Sequence, residues 1–264
     1  MEAGFVQAVV TSPPYWGLRS YEHADQVGLE ETREAYVSRL VEVFHEVRRV
    51  LKDDGTLWLN LGDCFKNKQL QGIPWRVAMA LQDDGWILRS DIIWQKQNPM
   101  PSSVTDRPVP AHEYLFLLAK SHRYYYDHES VKEAATGKKN WNKERVYDTG
   151  FGRPTKDNTT RGVPWDGSDT RNRRTVWTLP TQPYKGAHFA VMPPKLVEPC
   201  IRAATRLGDM VLDPFSGAAT VGLVALRNQR RYLGLELNPD YCELARERLS
   251  MDAPLFSRIS IGHR

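Results

Sequence analysis

The 264-residue chain is 41% hydrophobic, which suits one large domain or a domain with a substantial insertion, and no apolar run nears the ~18 residues of a membrane span. Its N-terminus lacks the basic-then-apolar pattern of a secretory signal, and Cys64, Cys200 and Cys242 form no CxxC pair, so neither a disulfide framework nor a zinc site is suggested and a reducing, cytoplasmic setting fits. Formal charge is +4, and residues 122–186 hold 13 Lys/Arg against 8 Asp/Glu, which points that quarter of the chain at a polyanion.

Phe5 to Val10 reads as a short buried strand. Pro13-Pro14 stops it, because each proline fixes φ and lacks an N–H. Gly17 to Gly28 is polar and irregular, a loop. Helical spacing then runs from Thr32 to Leu51, with Val37, Leu40, Val41, Phe44, Val47 and Leu51 on one face, and Asp54-Gly55 ends it. Thr56 to Leu61 is a strand, Pro74 to Asp83 a helix, and Trp86 to Trp94 a strand. Gln95 to Pro110 is a long polar loop, and His112 to Ala119 reads as a fully buried strand. Alternating strands and helices predict a mainly parallel α/β sheet.

From His122 the pattern changes. Aromatics (Tyr124 to Tyr126, Trp141, Phe151, Trp165) interleave with Lys138, Lys139, Arg153, Arg161, Arg171, Arg173 and Arg174 without periodicity. The stretch is too long for an ordinary connection, so an inserted subregion, or a partly disordered arm that orders on a partner, is expected to bind phosphates. Regular structure resumes with a helix from Pro194 to Leu207, then a strand from Met210 to Asp213. A loop, Pro214 to Ala219, opens a helix at Thr220; Arg231 to Leu237 is a strand, and Asn238-Pro239 caps and starts a helix to about Leu249.

Two of these loops carry chemistry. Thr11-Ser12-Pro13-Pro14-Tyr15-Trp16 places a hydroxyl, a free carbonyl and an aromatic face at a strand end. Such a turn can accept two hydrogen bonds from an amino group and stack on the ring bearing it. Val211 to Glu236 has the mechanics of a nucleotide-cofactor site, a strand running through a small-residue loop into a helix. Glu236 lies 19 residues after Gly217, the offset of roughly 20 at which a carboxylate takes ribose hydroxyls.

Ser12-Pro13-Pro14-Tyr15 resembles the catalytic motif of the β-class DNA amino-methyltransferases, cytosine-N4 type, and Asp213-Pro214-Phe215-Ser216-Gly217 with Thr220 resembles their S-adenosylmethionine loop. Catalytic turn first, basic insert second and cofactor loop last is that family's permuted order. The resemblance implies a Rossmann-like sheet, mostly parallel with one antiparallel strand, flanked by helices and circularly permuted. It divides the chain into a catalytic half (1–121), a target-recognition insert (122–186) and a cofactor half (187–264).

It further implies S-adenosylmethionine without metal, and Asp213, Pro214, Phe215, Ser216, Gly217, Thr220, Glu236, Leu237 and Asn238 around it. Phe189 and Ala190, in the segment ahead of the loop, join that set. Double-stranded DNA is the implied substrate, its target base extruded onto Tyr15, with Trp16, Arg107 and the insert's Lys138, Lys139, Arg153, Arg161, Arg171, Arg173 and Arg174 as DNA contacts. A homodimer, a cognate restriction endonuclease and a bacterial or phage-type cytoplasmic setting follow by analogy.

Two departures stand out. Ala219 occupies the position of the loop's second glycine, which requires φ < 0 or tolerance of a methyl and bears on cofactor affinity. No strand and acidic turn precede the Ser-Pro-Pro-Tyr strand, and Arg258 to Gly262 is the candidate replacement. Pro199-Cys200 mimics a nucleophile dipeptide but falls in a helix. Asn60 and Asp63 are weaker candidates for lining the pocket, and His112-Glu113 for contacting DNA or the target. The rival readings are adenine-N6 methylation and a catalytically idle nucleic-acid-binding module.

Overall fold

The computed structural model describes residues 1–18, 23, 25–135, 169–181, 192–252, 260 and 262. The chain opens with β1 (Val6–Thr11), every residue of which is buried. Helix α1 (Arg33–Val50) follows, its N-cap Thr32 accepting from the Ala35 N–H and its Tyr36, Leu40, Phe44, Val47 and Val50 buried. Next come β2 (Leu51–Leu61), the two-residue strands β3 (Phe65–Lys66) and β4 (Gln69–Leu70), α2 (Ile73–Asp83), β5 (Ile87–Lys96) and β6 (His112–Ala119). A 3-10 turn (Glu129–Val131) leads to β7 (Glu133–Ala134), which pairs with β8 (Thr170–Arg171). Then β9 (Val176–Leu179), α3 (Pro194–Ala204), β10 (Met210–Asp213), α4 (Thr220–Arg227), β11 (Arg231–Gly234) and α5 (Pro239–Asp252) complete the described elements.

Seven strands form one sheet in the order β11-β10-β1-β2-β6-β5-β9. Only β6 runs antiparallel to its neighbours in it, against β2 and β5. The sheet, parallel apart from that strand and flanked by helices, is the expected Rossmann-like methyltransferase architecture. Leu57, Leu59, Phe116 and Leu118 pack with α1 and α2. Ala8, Val10, Trp58, Leu115 and Leu117 pack with α3 and α4 on the opposite face. Alternating side chains therefore feed two cores. The connections run outward from β1 toward β2 and from β10 toward β11, so β1 and β10 flank a topological switch point. Crevices for ligands form at such points, beyond the carboxyl ends of the strands.

Several boundaries move from the sequence reading. Asp54-Gly55 does not end α1; the helix stops at Val50 and Leu51 turns extended, so β2 starts five residues earlier than expected. Gly55 then lies inside β2, where a Cβ would fall 2.6 Å from the Leu51 side chain and 2.8 Å from the Gln7 carbonyl. β6 is not buried throughout, because its first three residues reach the crevice and burial begins at Leu115. α3 ends at Ala204, leaving Leu207 exposed, and β11 ends at Gly234 as the chain turns into the cofactor loop. β9, inside the stretch read as aperiodic, pairs in parallel with β5 and forms the edge of the sheet. The strand proposed for Arg258 to Gly262 lies outside the described residues except Ser260 and Gly262, which are not in a strand.

Candidate active site

β1 ends at Thr11, and the next residues turn across the carboxyl end of the sheet. The buried Tyr36 of α1 donates its hydroxyl to the Pro14 carbonyl at 2.9 Å. The Pro14 carbonyl is thus held by the fold, while Pro13 beside it is buried at the strand end. Gly28, at φ +104°, backs the turn; a Cβ there would meet the Tyr15 carbonyl at 3.2 Å and Pro14 Cβ at 3.3 Å. Trp16 corrects the sequence reading. It is 6% exposed within the α1 core, its indole N–H donating to the Glu30 carbonyl at 2.8 Å. It anchors the turn rather than offering a face to DNA.

Tyr15 is anchored as firmly. Its ring stands over Gly62, where any Cβ would lie 2.6 Å from Cε2. Its hydroxyl donates to Glu113 Oε2 at 2.6 Å and accepts from Asn60 Nδ2 at 2.6 Å. The Asn60 amide also reaches Glu113 Oε2 at 2.6 Å, and Lys96 Nζ donates to Glu113 Oε1 at 2.5 Å. Ser12 Oγ lies 3.5 Å from the phenol. Burial first, then the Glu113 charge, hold the Tyr15 hydroxyl well above its usual range, so it stays a donor. Asn60 is 1% exposed and its amide oxygen has no partner among the described residues. β2, β5 and β6 bring this polar set together under the turn. Sequence reading gave Asn60 and Glu113 little weight and missed Lys96 and Tyr36. The available signal was that Lys96 ends one strand and Glu113 begins the next, which puts both at one end of the sheet.

The second loop lies alongside. β1 pairs with β10 in parallel, Ala8 opposite Val211 and Val9 opposite Leu212. One step further, Thr11 Oγ1 donates to Asp213 Oδ1 at 2.6 Å. The residue before Ser12 is thus bonded to the residue that opens the cofactor loop. Burial pushes the Asp213 carboxyl up to about 7, against the opposing hydrogen bonds from Thr11 and the Phe215 N–H.

Past Asp213, Phe215 packs edge-on to Phe44 of α1, with 6.4 Å between ring centroids. Pro214 lines a groove of about 320 Å³ with Val43, Val47, Leu212 and Leu235. Ser216 bonds the Tyr232 hydroxyl at 2.7 Å. Arg248 of α5 donates to the Ala218 carbonyl and to Thr220 Oγ1. Gly217, at φ +49°, gives its N–H to Glu236 Oε2 at 2.8 Å. Glu236 Oε1 takes the Leu237 and Asn238 N–H groups at 3.0 Å each. Asn238 in turn caps α5 through the Asp240 N–H at 2.9 Å. Ala219 sits at φ +53°, so the φ < 0 alternative is overturned and the methyl is accommodated.

The loop fits an adenosine. A carboxylate has about four lone-pair sites, and three N–H bonds leave Glu236 Oε2 able to take a sugar hydroxyl. Leu235 and Leu237, 43% and 56% exposed on either side of it, offer apolar contact for a ring. Among the described residues no group of three His, Cys, Asp or Glu could hold a metal ion, and no helix is long and apolar enough to cross a membrane.

The remaining candidates scatter. Lys138, Lys139, Arg153, Arg161, Phe189 and Ala190 lie outside the described residues. Arg171 and Arg174 both pair with Glu133 Oε1, at 2.9 and 2.7 Å, and the Arg173 guanidinium covers the Trp177 ring at 4.5 Å. These three, expected on DNA, brace β7, β8 and β9 in this structure. Arg107 stacks on Phe65 at 3.7 Å. Asp63 is structural, accepting the Cys64, Gly72 and Ile73 N–H groups where α2 begins. Cys200 is buried inside α3, its thiol pushed up by burial.

Residues 6–247 match the N6/N4-type DNA methylase family. The type II methyltransferase M.XycI of Xanthomonas campestris pv. cyanopsidis is 46% identical over 94% of this chain and 83% of its own length. M.Cfr9I of Citrobacter freundii is 44% identical over the same shares. Among solved structures, the PvuII DNA methyltransferase (cytosine-N4-specific) superposes with a TM-score of 0.69 at 20% identity, covering 98% of this chain and 83% of its own. A DNA modification methylase of Thermus thermophilus, complexed with S-adenosyl-L-methionine, gives a TM-score of 0.65 at 26% identity, covering 97% and 90%.

Proposed function

The chain belongs to the N6/N4 DNA methylase family, and from that premise we propose that it methylates the exocyclic N4 of an extruded cytosine in double-stranded DNA, as the modification partner of a restriction endonuclease. The observation that carries the reading is the Thr11–Asp213 bond. It brings the Ser-Pro-Pro-Tyr turn and the cofactor loop, some two hundred residues apart in the chain, to adjoining strand ends. Serine at position 12, as in the family's cytosine-N4 motif, favours cytosine over adenine. Target recognition is assigned to residues 122–186 on their charge.

S-Adenosylmethionine supplies, when bound, an electrophilic methyl on a sulfonium. Gly217, Glu236 and the flanking leucines would hold its adenosine. The chain's task is to make a poor nucleophile attack, because the amine lone pair is delocalised into the base. Ser12 Oγ and the Pro13 carbonyl accept the two N–H bonds, turning the lone pair out of the ring plane and toward the methyl. As the N–C bond forms and the C–S bond breaks, the nitrogen becomes cationic and its N–H groups more acidic, so both hydrogen bonds strengthen in the transition state. Tyr36 keeps the Pro14 carbonyl occupied and thereby fixes the direction of its neighbour. Asn60, Glu113 and Lys96 hold Tyr15 where the base must lie, a contribution of alignment. The nitrogen then sheds its extra proton to solvent water.

Incubation with labelled cofactor and DNA followed by nucleoside analysis tests the reading. N4-methylcytosine is expected; N6-methyladenine would overturn the choice of base, and no transfer would overturn the activity. Ser12→Ala should lower turnover roughly 100-fold or more while cofactor binding persists.

A further inference from the structure

Beside the catalytic turn stands a hairpin that the reaction does not use. β3 and β4 pair Phe65 with Leu70 and Lys66 with Gln69, so Asn67 and Lys68 form a two-residue loop. Both have positive φ, 53° and 63°, the signature of a type I′ turn. Asn-Gly is the favoured pair for that turn, because the left-handed region crowds a Cβ. Asparagine occupies the first place here, but the second holds lysine. So short a hairpin has no stability of its own, and its surroundings hold it rigid. Gln71 gives its side-chain amide to the Gln69 carbonyl at 2.7 Å and its N–H to the Cys64 carbonyl at 3.0 Å. Asp63 fixes the root through the Cys64 N–H.

The anchored hairpin presents positive charge next to the reaction centre. Lys66 Nζ sits 4.8 Å over the ring of Trp16, the neighbour of Tyr15. Arg107, from the loop leading to Glu113, lies on Phe65. The Lys68 side chain is 90% exposed and, among the described residues, meets only Asp106, at 3.6 Å. An ion pair that open is worth little and is readily exchanged.

Resting on the DNA-methylating reading, we infer that the β3–β4 hairpin is a phosphate-contacting finger, its tip Lys68 binding the sugar-phosphate backbone next to the extruded nucleotide. A strained lysine kept where glycine would fold better is explained by what its ammonium does. A loosely paired cation at the tip of a rigid hairpin beside the turn is placed to neutralise a phosphate. The contact is sequence-independent and sets register rather than specificity.

Lys68→Gly separates the two roles. The variant should melt at a higher temperature than the wild type, since the turn becomes Asn-Gly. It should also bind duplex DNA more weakly, with the slope of log affinity against log salt reduced by about 1. Lys68→Arg should keep the wild-type slope, and Lys68→Asn, tolerant of positive φ but uncharged, should behave like the glycine variant. A wild type that binds DNA beside a Lys68→Gly variant of unchanged slope would overturn the finger alone. A wild type that binds no duplex at any salt concentration would overturn the underlying DNA reading and the finger with it.

Discussion

Ala219 shows how a single methyl divides between cost and use. In the left-handed region an L-residue is disfavoured by about 1 kcal/mol or more, yet the methyl is fully buried with Leu223 and Leu249. Burying a methyl is worth about 0.8 kcal/mol. The two terms nearly cancel, so Ala219→Gly should shift unfolding stability by less than about 1 kcal/mol. The methyl packs with Leu223 of α4 and Leu249 of α5, which argues for little effect on cofactor affinity. Calorimetric titration should find S-adenosylmethionine affinity within about twofold of wild type. A tenfold gain would mean that the methyl stands against the cofactor.

Helix α2 has no side-chain cap of its own, because its N-cap, Gly72, lies at φ +68° and offers none. Asp63 supplies it from nine residues upstream, taking the Gly72 and Ile73 N–H groups while also holding the hairpin root. Asp63→Ala should therefore cost about 1–2 kcal/mol, read from urea denaturation, and an unchanged midpoint would refute the remote cap. Such a contact is invisible in sequence, where Asp63 looks like one more carboxylate at a strand end. Strands β1 and β10 were legible because short, mostly apolar runs mark buried parallel strands. β9 was not, since its four residues bury a single tryptophan amid basic and polar neighbours. The first half of β2 was hidden by Asp53-Asp54-Gly55, which spells a turn. Ser12 and Glu236 were legible through their loops, whereas Glu113, Lys96 and Asn60 meet only because β2, β6 and β5 lie side by side, an order no local pattern encodes. Trp16 was misread because position next to a motif says nothing about which side of a turn a ring takes.

Folding closes the sheet by joining the two ends of the chain, and Asp213 sits on that seam with its carboxyl pushed up to about 7 from an ordinary 3.8. Burial is the main cause, helped by the nearby Glu236 charge. Between those two values the folded chain keeps a proton that the unfolded chain has released. This group's contribution to stability is therefore whole below about pH 4 and is lost as pH rises through 7, with a slope of at most about 1.4 kcal/mol per pH unit. The seam is thus weaker in alkali than in mild acid, opposite to the behaviour of a salt-bridged carboxylate. Asp213→Asn removes the titration while its amide oxygen can still accept from Thr11 and the Phe215 N–H. Urea denaturation at pH 5 and pH 8 should show the variant gaining on the wild type by up to about 3 kcal/mol between the two. An equal difference at both pH values would mean that Asp213 ionises as an ordinary carboxyl, and that the join between catalytic turn and cofactor loop is already charged in the folded chain.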